Sequence, residues 1–398
     1  MIVRQFLHWL RTAPSGTRAE ATGALARAYL YSDLTDSDRI AAEGAMTMLL
    51  DDPSPLVRRA LSEVFASSEQ APPNIVHALS SDQVDVAGPI LHRSPLLLDA
   101  DLVEAVASGE VERQAAVAMR AMLPCSVAAA IAEVGSAEAC LLLLENPHAE
   151  IVPFSLDRIV DRHGHLAVIR DVLLQRFDLP APTRQALVLK LSQTLAEFVA
   201  AREWLAPERA ERVTREACER ATVALAADSP EFEVRPLIRH LCESGQLNAG
   251  LILRSLLSGN VAFFEEALAE LAQVPLARVA GIVHDRKGAS FRALYDKAGL
   301  PPSTFLAFRE ALEAMREDGF IIEPGGASRL KRRIIERALT RCESDAADEV
   351  EPLLTLLRRF AAEAARDEAR LFCDELVAEG RIEVDPQEWQ QEWEPVAA

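Results

Sequence analysis

Short apolar segments recur along the chain in pairs, and a turn residue separates each pair from the next. Three of these pairs end at Gly109, Gly135 and Gly164, which lie 26 and 29 residues apart. Glycine is favoured just after a helix because it adopts the left-handed backbone conformation at little cost. The pattern therefore predicts pairs of short helices, each closed by a glycine.

A proline marks the turn inside each of these predicted pairs. The three prolines are Pro95, Pro124 and Pro147. Proline ends one helix and sets the backbone for the start of the next. The segment 51–76 has the same form, so we expect the array to begin near residue 18 or before it.

The second half of the chain repeats at nearly the same period. Helix starts are predicted at Leu247, Val274 and Leu300, which lie 27 and 26 residues apart. Leu268 and Leu294 occupy the same position within their units. A repeated apolar position predicts a side chain that faces the core between neighbouring units.

Composition and charge narrow the class of protein. Of the 398 residues, 49% are hydrophobic but only 5% are aromatic, so the core is built mainly from Ala, Leu and Val, as helix packing favours. The net charge of −19 opposes binding to nucleic acid and to anionic lipid, since both require Lys and Arg to neutralise phosphate. We expect no nucleic-acid partner.

The cysteines and the lengths of the apolar runs indicate where in the cell the protein is expected. Six cysteines are scattered without close pairs, which favours reduced thiols, buried as small core residues, in a cytoplasmic protein. No apolar run approaches the length of a membrane span, and Arg4 and His8 interrupt the apolar N-terminus. We expect neither membrane insertion nor a secretory signal.

Several segments resemble a known bacterial family. They are DPSPLVRRAL (52–61), VAGPIL (86–91), RSPLLLD (93–99) and LLSGNVAFFEEALAEL (256–271). Over roughly residues 45–310 the chain is similar to the family called domain of unknown function 2336, whose members look like HEAT-type helical repeat proteins. The resemblance implies repeat geometry and no catalytic residues. The period is shorter than the HEAT norm of about 40 to 47 residues, which implies shorter helices.

Together these observations predict an all-α fold. We expect an α-solenoid of short HEAT-like helix pairs, with a period of about 26–29 residues and a helical C-terminal segment. Four segments are predicted: an N-terminal repeat array (1–165), a central helical bundle segment (166–228), a second repeat array (229–320), and a basic helix, long helix and acidic tail (321–398).

Motifs of catalysis and of metal binding are weak. No phosphate loop, dinucleotide fingerprint or nucleophile elbow is present, so we expect no enzyme activity and no cofactor. His163 with His165, and His240 with Cys242, are spaced two apart; on a helix such residues face different directions, so no metal site is predicted. Asp51 and Asp52, before Pro53, are expected to cap a helix, in preference to forming a paired-carboxylate acid/base site.

One concentrated basic site stands out in this acidic chain. Its residues are Arg329, Lys331, Arg332, Arg333, Arg337 and Arg341, which we call the basic stripe because four of the arginines recur every four residues. On a helix such a row grips phosphates or a carboxylate-rich surface. The alternative, which the sequence favours slightly, is that the stripe pairs with the chain's own acidic segment 343–351 or with its acidic tail. Arg286 and Lys287, on a predicted loop, are a second contact point.

A helical array without a catalytic constellation favours binding to another protein. We expect a non-catalytic, cytoplasmic protein-interaction scaffold with a regulatory role. The alternative is a sensor that binds an anionic small ligand, such as a cyclic dinucleotide, through the basic stripe. A DNA-damage enzyme built from helical repeats is disfavoured by the acidic charge. Association of several copies of the chain stays open.

Overall fold

A computed structural model of the chain describes residues 9, 12–285, 290–317, 327–344 and 351–379. Within these ranges the regular elements are 21 α-helices and one short 3₁₀ helix, with an isolated bridge between Leu123 and Ala149. The predicted all-helical fold is confirmed. The chain divides into two compact units, residues 1–214 (unit 1) and 215–398 (unit 2). The four-segment division stays a prediction.

Twelve helices lie within unit 1, and a thirteenth runs across the boundary between the units. They are α1 (Ser15–Tyr31), α2 (Asp36–Leu49), α3 (Pro55–Phe65), α4 (Pro73–Ser80), α5 (Val84–Arg93), α6 (Asp99–Ala107), α7 (Val111–Ala118), α8 (Cys125–Val134), α9 (Ala137–Glu145), α10 (Pro153–His163), α11 (Ala167–Gln175), α12 (Ala181–Ala201) and α13 (Pro207–Asp228).

The described helices of unit 2 follow. They are α14 (Glu231–Glu243), α15 (Ala249–Leu257), α16 (Val261–Ala272), α17 (Leu276–Val283), α18 (Phe291–Lys297), α19 (Phe305–Glu317), α20 (Ala327–Ser344) and α21 (Glu351–Glu379), with the 3₁₀ helix Pro302–Thr304 before α19.

Unit 1 is a stack of helix pairs in two layers. The odd-numbered helices α1 to α11 each pack on the next odd-numbered helix, and α6, α8, α10 and α12 form a second layer in the same way. From α3 to α11 the odd-numbered helices start 26 to 30 residues apart, close to the predicted period. Each helix pair therefore contacts mainly its neighbours in the stack, as in helical repeat proteins.

The apolar pattern of each helix explains this packing. In α3, Val57, Leu61 and Phe65 recur every four residues and are fully buried, so they form one apolar face. The Ser62 hydroxyl of the same helix donates a hydrogen bond of 2.5 Å to the carbonyl oxygen of Val86 in α5. Such faces join into one continuous core from Ala26 to Leu187.

The predicted glycine ends are confirmed as helix ends, but only one has the predicted conformation. Gly109 has a φ of 81°, whereas Gly135 and Gly164 have φ values of −64° and −62°. Gly135 is required for a different reason: a Cβ there would lie 2.4 Å from the carbonyl oxygen of Ile131. At Gly135, glycine is needed because the backbone approaches closely, and not because the backbone is left-handed.

Helix α15 is enclosed in unit 2. Every residue of 251–257 is buried, and the helix packs against α16, α19 and α20, while α21 packs on α20. Leu268 of α16 and Leu294 of α18 are buried, as predicted. A cluster of rings adds to this core, in which Phe264 stacks on Phe308 at 6.0 Å between centroids.

The predicted burial of the cysteines is wrong for three of them. Cys140 and Cys218 are buried, but Cys125, Cys242 and Cys373 are exposed. The side chain of Cys342 lies outside the described residues. Cys125 and Cys242 lie at helix ends and Cys373 lies on the exposed end of α21, where no neighbouring layer covers the side chain. Burial raises the pKa of the Cys140 thiol to about 11.

The helices that the structure describes give no candidate for a membrane span, since none of them is both long enough and apolar enough to cross a bilayer.

Candidate interaction surfaces

The turns inside consecutive helix pairs of unit 1 are joined directly to one another. In the turn between α9 and α10, the Asn146 side-chain amide donates hydrogen bonds to the carbonyl oxygens of Ala118 (2.9 Å) and Arg120 (2.8 Å). The Glu150 amide donates another to the Leu123 carbonyl at 3.0 Å. All three acceptors lie at the turn between α7 and α8.

Two arginines connect these turns to the preceding turn and to the following turn of the stack. Arg120 donates hydrogen bonds to the carbonyl oxygens of Leu91 (2.6 Å) and Ser94 (2.7 Å), at the turn between α5 and α6. Arg176, in the turn between α11 and α12, donates to the carbonyl oxygen of Leu144 at 3.3 Å. The four turns 94–98, 119–124, 146–152 and 176–180 are thus linked, and we call them the turn edge.

Arg120 is held in an unusually enclosed position for a charged side chain. Burial lowers the pKa of its guanidinium, although the charge of Asp99 acts in the opposite direction. The guanidinium caps carbonyl groups at the C-terminal end of α5, which have no partner within their own helix. Arg120 therefore fixes the spacing of two neighbouring turns.

A large exposed apolar side chain lies within each turn of the turn edge or, in the case of Phe154, in the first turn of the helix that follows it. Leu98, Met122, Phe154 and Phe177, which we call the ridge residues, are between 69% and 96% exposed. On the opposite edge of the same helix pairs the exposed large apolar residues are Val111, Val134 and Val168, which are smaller and only 39% to 57% exposed. A row of exposed apolar side chains on one edge is typical of a contact surface.

The turn edge is also acidic. Asp99, Glu145, Glu150 and Asp157 are exposed at or beside these turns. The two arginines within the turns are engaged, because Arg120 binds carbonyl groups and Arg176 forms a 2.7 Å ion pair with Asp178. Within the described part of the chain Glu145 and Glu150 form no ion pair. The surface therefore combines apolar side chains with negative charge.

The opposite edge of the stack is held by ion pairs. Arg18 pairs with Asp52 at 2.8 Å and Arg58 with Asp82 at 2.5 Å. Burial acts to raise the pKa of Asp52, but the hydrogen bonds from Arg18 and from the Ser54 amide hold it below its ordinary value. Asp52 accepts the amide of Ser54, which is itself the N-cap of α3, so the predicted N-cap position of Asp52 is wrong by two residues.

A cleft opens between α4 and α6 on the second layer. Its volume is about 440 Å³, and its walls include the carboxylates of Asp101, Glu104 and Glu110 with the imidazole of His77. His77 Nδ1 lies 4.0 Å from Asp101 Oδ1. Among the residues that the structure describes, no group of three or more metal-ligating side chains is arranged to hold a metal ion.

The basic stripe lies on α20, and two of its described side chains bind carboxylates of unit 2. Arg332 contacts Glu336 at 2.7 Å and Glu368 of α21 at 2.8 Å. These hydrogen bonds, in which Arg332 donates first to Glu368 and then to Glu336, raise the pKa of Arg332. Arg337 lies half-buried on the same helix. The side chains of Arg329, Lys331 and Arg333, and the whole of Arg286 and Lys287, lie outside the described residues.

Arg341 makes the most enclosed contact of the stripe. It lies 2.7 Å from Glu310 and 3.0 Å from Glu313, both in α19. Glu310 is only 4% exposed and also pairs with Arg309 at 2.7 Å. Burial acts to raise the pKa of Glu310, but the hydrogen bonds from Arg341 and Arg309 hold it below its ordinary value. The stripe thus joins α20 to α19 and to α21.

These carboxylates differ from the expected segment 343–351 and tail. A signal for Glu310 exists in the sequence, because it interrupts the apolar residues Phe308, Ala311 and Leu312 of α19. A carboxylate on an apolar helix face indicates a buried ion pair, since an unpaired buried charge is costly.

Arg254 was also missed from the sequence. It is 5% exposed on α15, forms a 2.5 Å ion pair with Glu363 of α21, and lies 4.3 Å from the centroid of the Phe360 ring. A single arginine inside the apolar run LILRSLL (251–257) is the signal. Arg254 joins the enclosed helix to the long C-terminal helix.

Comparison of the chain with curated proteins and with solved structures found no match. The model of one family matches residues 86–348, which include all four ridge residues and both described ion-paired arginines of the stripe. Since the match covers more than half of the chain, the protein belongs to the family described as "Uncharacterised protein conserved in bacteria (DUF2336)".

Proposed function

We propose that this chain is a non-catalytic, regulatory protein-interaction scaffold of the bacterial cytoplasm, and that the turn edge of unit 1 holds its protein partner. The observation that carries the proposal is the row of ridge residues. Each of four linked turns has at least one large apolar side chain exposed within it or directly beside it. Contact with a partner would remove these side chains from water, which is the main favourable term in protein association.

The rigidity of the turn edge supports this role. Hydrogen bonds from Asn146, Arg120 and Arg176 set the position of each turn before any partner arrives. A surface whose side chains are already placed loses less conformational freedom on binding than a flexible loop does. Four such turns in one row give a long contact surface, as helical repeat proteins use.

The basic stripe has less support as the partner surface. Arg332 and Arg341 already bind carboxylates of α19, α20 and α21, so an anionic ligand would have to displace those carboxylates. We therefore place the partner on the turn edge, and the cyclic-dinucleotide sensor stays the alternative.

Site-specific photo-crosslinking in the native bacterial lysate tests the proposal. A photoreactive residue placed at Met122, Phe154 or Phe177 should yield adducts with the same protein, whereas one placed at Val134 or Val168 on the opposite edge should not. These positions are exposed in the structure, so the replacements should preserve the fold.

The double substitution Phe154→Ser with Phe177→Ser provides the second arm. It should remove the adduct formed from Met122 while leaving the helical circular-dichroism signal unchanged. Absence of adducts at the turn edge, or equal adducts on both edges, would overturn the assignment of this surface.

A further inference from the structure

The interval between ridge residues follows from the packing of the first layer. Helices α5, α7, α9 and α11 pack directly on one another, and packed helices lie about 8–10 Å apart. The turns that follow these helices are hydrogen-bonded to one another. Apolar side chains at or beside these turns are therefore expected to recur at about the interval between the helices, roughly 9 Å.

An extended polypeptide matches this interval. A polyproline II segment rises about 3.1 Å per residue with three residues per turn, so every third side chain returns to the same side after about 9 Å. A β-strand turns successive side chains to opposite faces, so its third residue faces away. An α-helix presents side chains on one face at i, i+3 or i+4 and i+7, about every 5 Å, so contacts about 9 Å apart would use only every second one.

The negative charge of the turn edge indicates which side chains should lie between the apolar positions of such a segment. Glu145 and Glu150 are exposed there and form no ion pair within the described residues, and Asp99 lies at the same edge. The chain as a whole carries a net charge of −19. Lys or Arg between the apolar positions would be attracted to this surface, whereas Asp or Glu would be repelled.

We infer that the partner segment bound by the turn edge is an extended, basic polypeptide with an apolar side chain at every third residue. This inference rests on the proposed function and specifies the chemistry of its partner. The apolar side chains would pack against Leu98, Met122, Phe154 and Phe177, and the basic side chains would lie beside Glu145 and Glu150.

Two fluorescent peptides of about fifteen residues, long enough to span all four turns, test the inference with the full chain. One repeats Leu-Pro-Lys and the other repeats Leu-Pro-Glu. We expect the lysine peptide to bind in a fluorescence-anisotropy titration, with an affinity that falls about tenfold or more when the salt concentration is raised from low to physiological and beyond. We expect no binding of the glutamate peptide.

Matched variants separate binding at the turn edge from general attraction to an acidic protein. Glu145→Gln with Glu150→Gln should weaken binding of the lysine peptide by about tenfold, roughly one charge contact, and should reduce its salt dependence. The control variant, Glu112→Gln with Glu138→Gln, makes the same change of charge on the opposite edge, where both residues are exposed, and should leave binding unchanged. Phe154→Ser with Phe177→Ser should weaken binding at every salt concentration.

Three results would overturn the inference. They are failure of the lysine peptide to bind, equal losses in the test and control charge variants, and tighter binding of a basic helical peptide whose apolar residues recur every seven positions. If any of these occurs while turn-edge crosslinks to a protein persist, the scaffold proposal stands and only the partner chemistry is wrong. If the crosslinks are absent as well, both fail.

Discussion

Arg58 and Asp82 lie in consecutive parts of the helix stack and are joined by two hydrogen bonds, 2.5 Å from Nε to Oδ2 and 2.9 Å from Nη2 to Oδ1. The carbonyl oxygen of Asp82 also accepts a hydrogen bond from Arg113 of α7. Asp82, which lies between α4 and α5, therefore binds arginines of α3 and of α7 on the edge opposite the turn edge.

The substitution Asp82→Asn should lower the free energy of unfolding by about 1 to 3 kcal/mol at neutral pH, because it weakens charge-assisted hydrogen bonds to Arg58. Urea unfolding followed by circular dichroism measures the change. The exposed Asp85→Asn variant is the control and should change stability by less than about 0.5 kcal/mol. Equal effects of the two substitutions would contradict the importance of this ion pair.

The ion pair between Arg58 and Asp82 predicts that the stability of the protein depends on pH. Burial acts to raise the pKa of Asp82, but the hydrogen bonds from Arg58 and from the Gln83 amide hold it below its ordinary value. The stabilisation is therefore fully present above the ordinary carboxyl pKa of about 4 and is lost as the pH falls through the lower, folded-state pKa. The stability difference between the parent and Asp82→Asn should shrink in urea titrations at decreasing pH.

Arg120→Lys should destabilise unit 1 by about 1 to 3 kcal/mol, since a lysine ammonium cannot span the Leu91 and Ser94 carbonyl groups as a guanidinium does. Arg59→Lys is the matched control, because Arg59 is about half exposed and forms only a 3.5 Å pair with Glu63. Thermal unfolding of both variants measures the difference. If Arg120→Lys melts at the parent temperature, the link between these turns is not energetically important.

Leu268→Ala and Leu294→Ala should each lower the free energy of unfolding by about 2 to 5 kcal/mol, because both side chains are buried and each substitution leaves a cavity. Leu376→Ala on the exposed part of α21 should have an effect below about 0.5 kcal/mol. Chemical denaturation of the three variants is the measurement. A small effect at Leu268 or Leu294 would mean that the neighbouring residues do not form a tightly packed core there.

Arg341→Gln distinguishes the two interpretations of the basic stripe. If Arg341 serves to neutralise Glu310, its loss leaves a 4% exposed carboxylate that keeps its ion pair with Arg309, and stability should fall by about 1 to 3 kcal/mol. Arg366→Gln, an exposed change on α21, is the control. An unchanged unfolding midpoint for Arg341→Gln would favour a stripe that is kept for an external anion.

The helix pairs could be predicted from the sequence because their signals are local. Gly109 and Pro124 mark chain reversals, and the spacing of Leu268 and Leu294 repeats with the period of the units. Each signal depends on backbone conformation or on burial, which short stretches of sequence specify directly. The conformation of Gly135 was missed because it depends on its close approach to the Ile131 carbonyl.

The candidate surface could not be predicted in the same way. Arg120 and Arg162 bind carbonyl groups about one helix pair earlier in the chain, and every residue has a carbonyl group, so no residue pattern marks the acceptor. Leu98 and Phe154 are apolar and would be expected in the core. Only the position of the turns on one edge of the stack shows that they are exposed.

The arginine contacts also determine how unit 1 should lose its structure. A helix stack with purely local contacts can fray from its ends, one pair at a time. Arg113, Arg120 and Arg162 each bind carbonyl groups that belong to an earlier helix pair, and Arg58 binds Asp82, which lies at the start of the next pair. Melting one pair would therefore leave a guanidinium or a set of carbonyl groups in its neighbour without a partner. This nearest-neighbour coupling favours cooperative, all-or-none unfolding of the stack over stepwise unravelling.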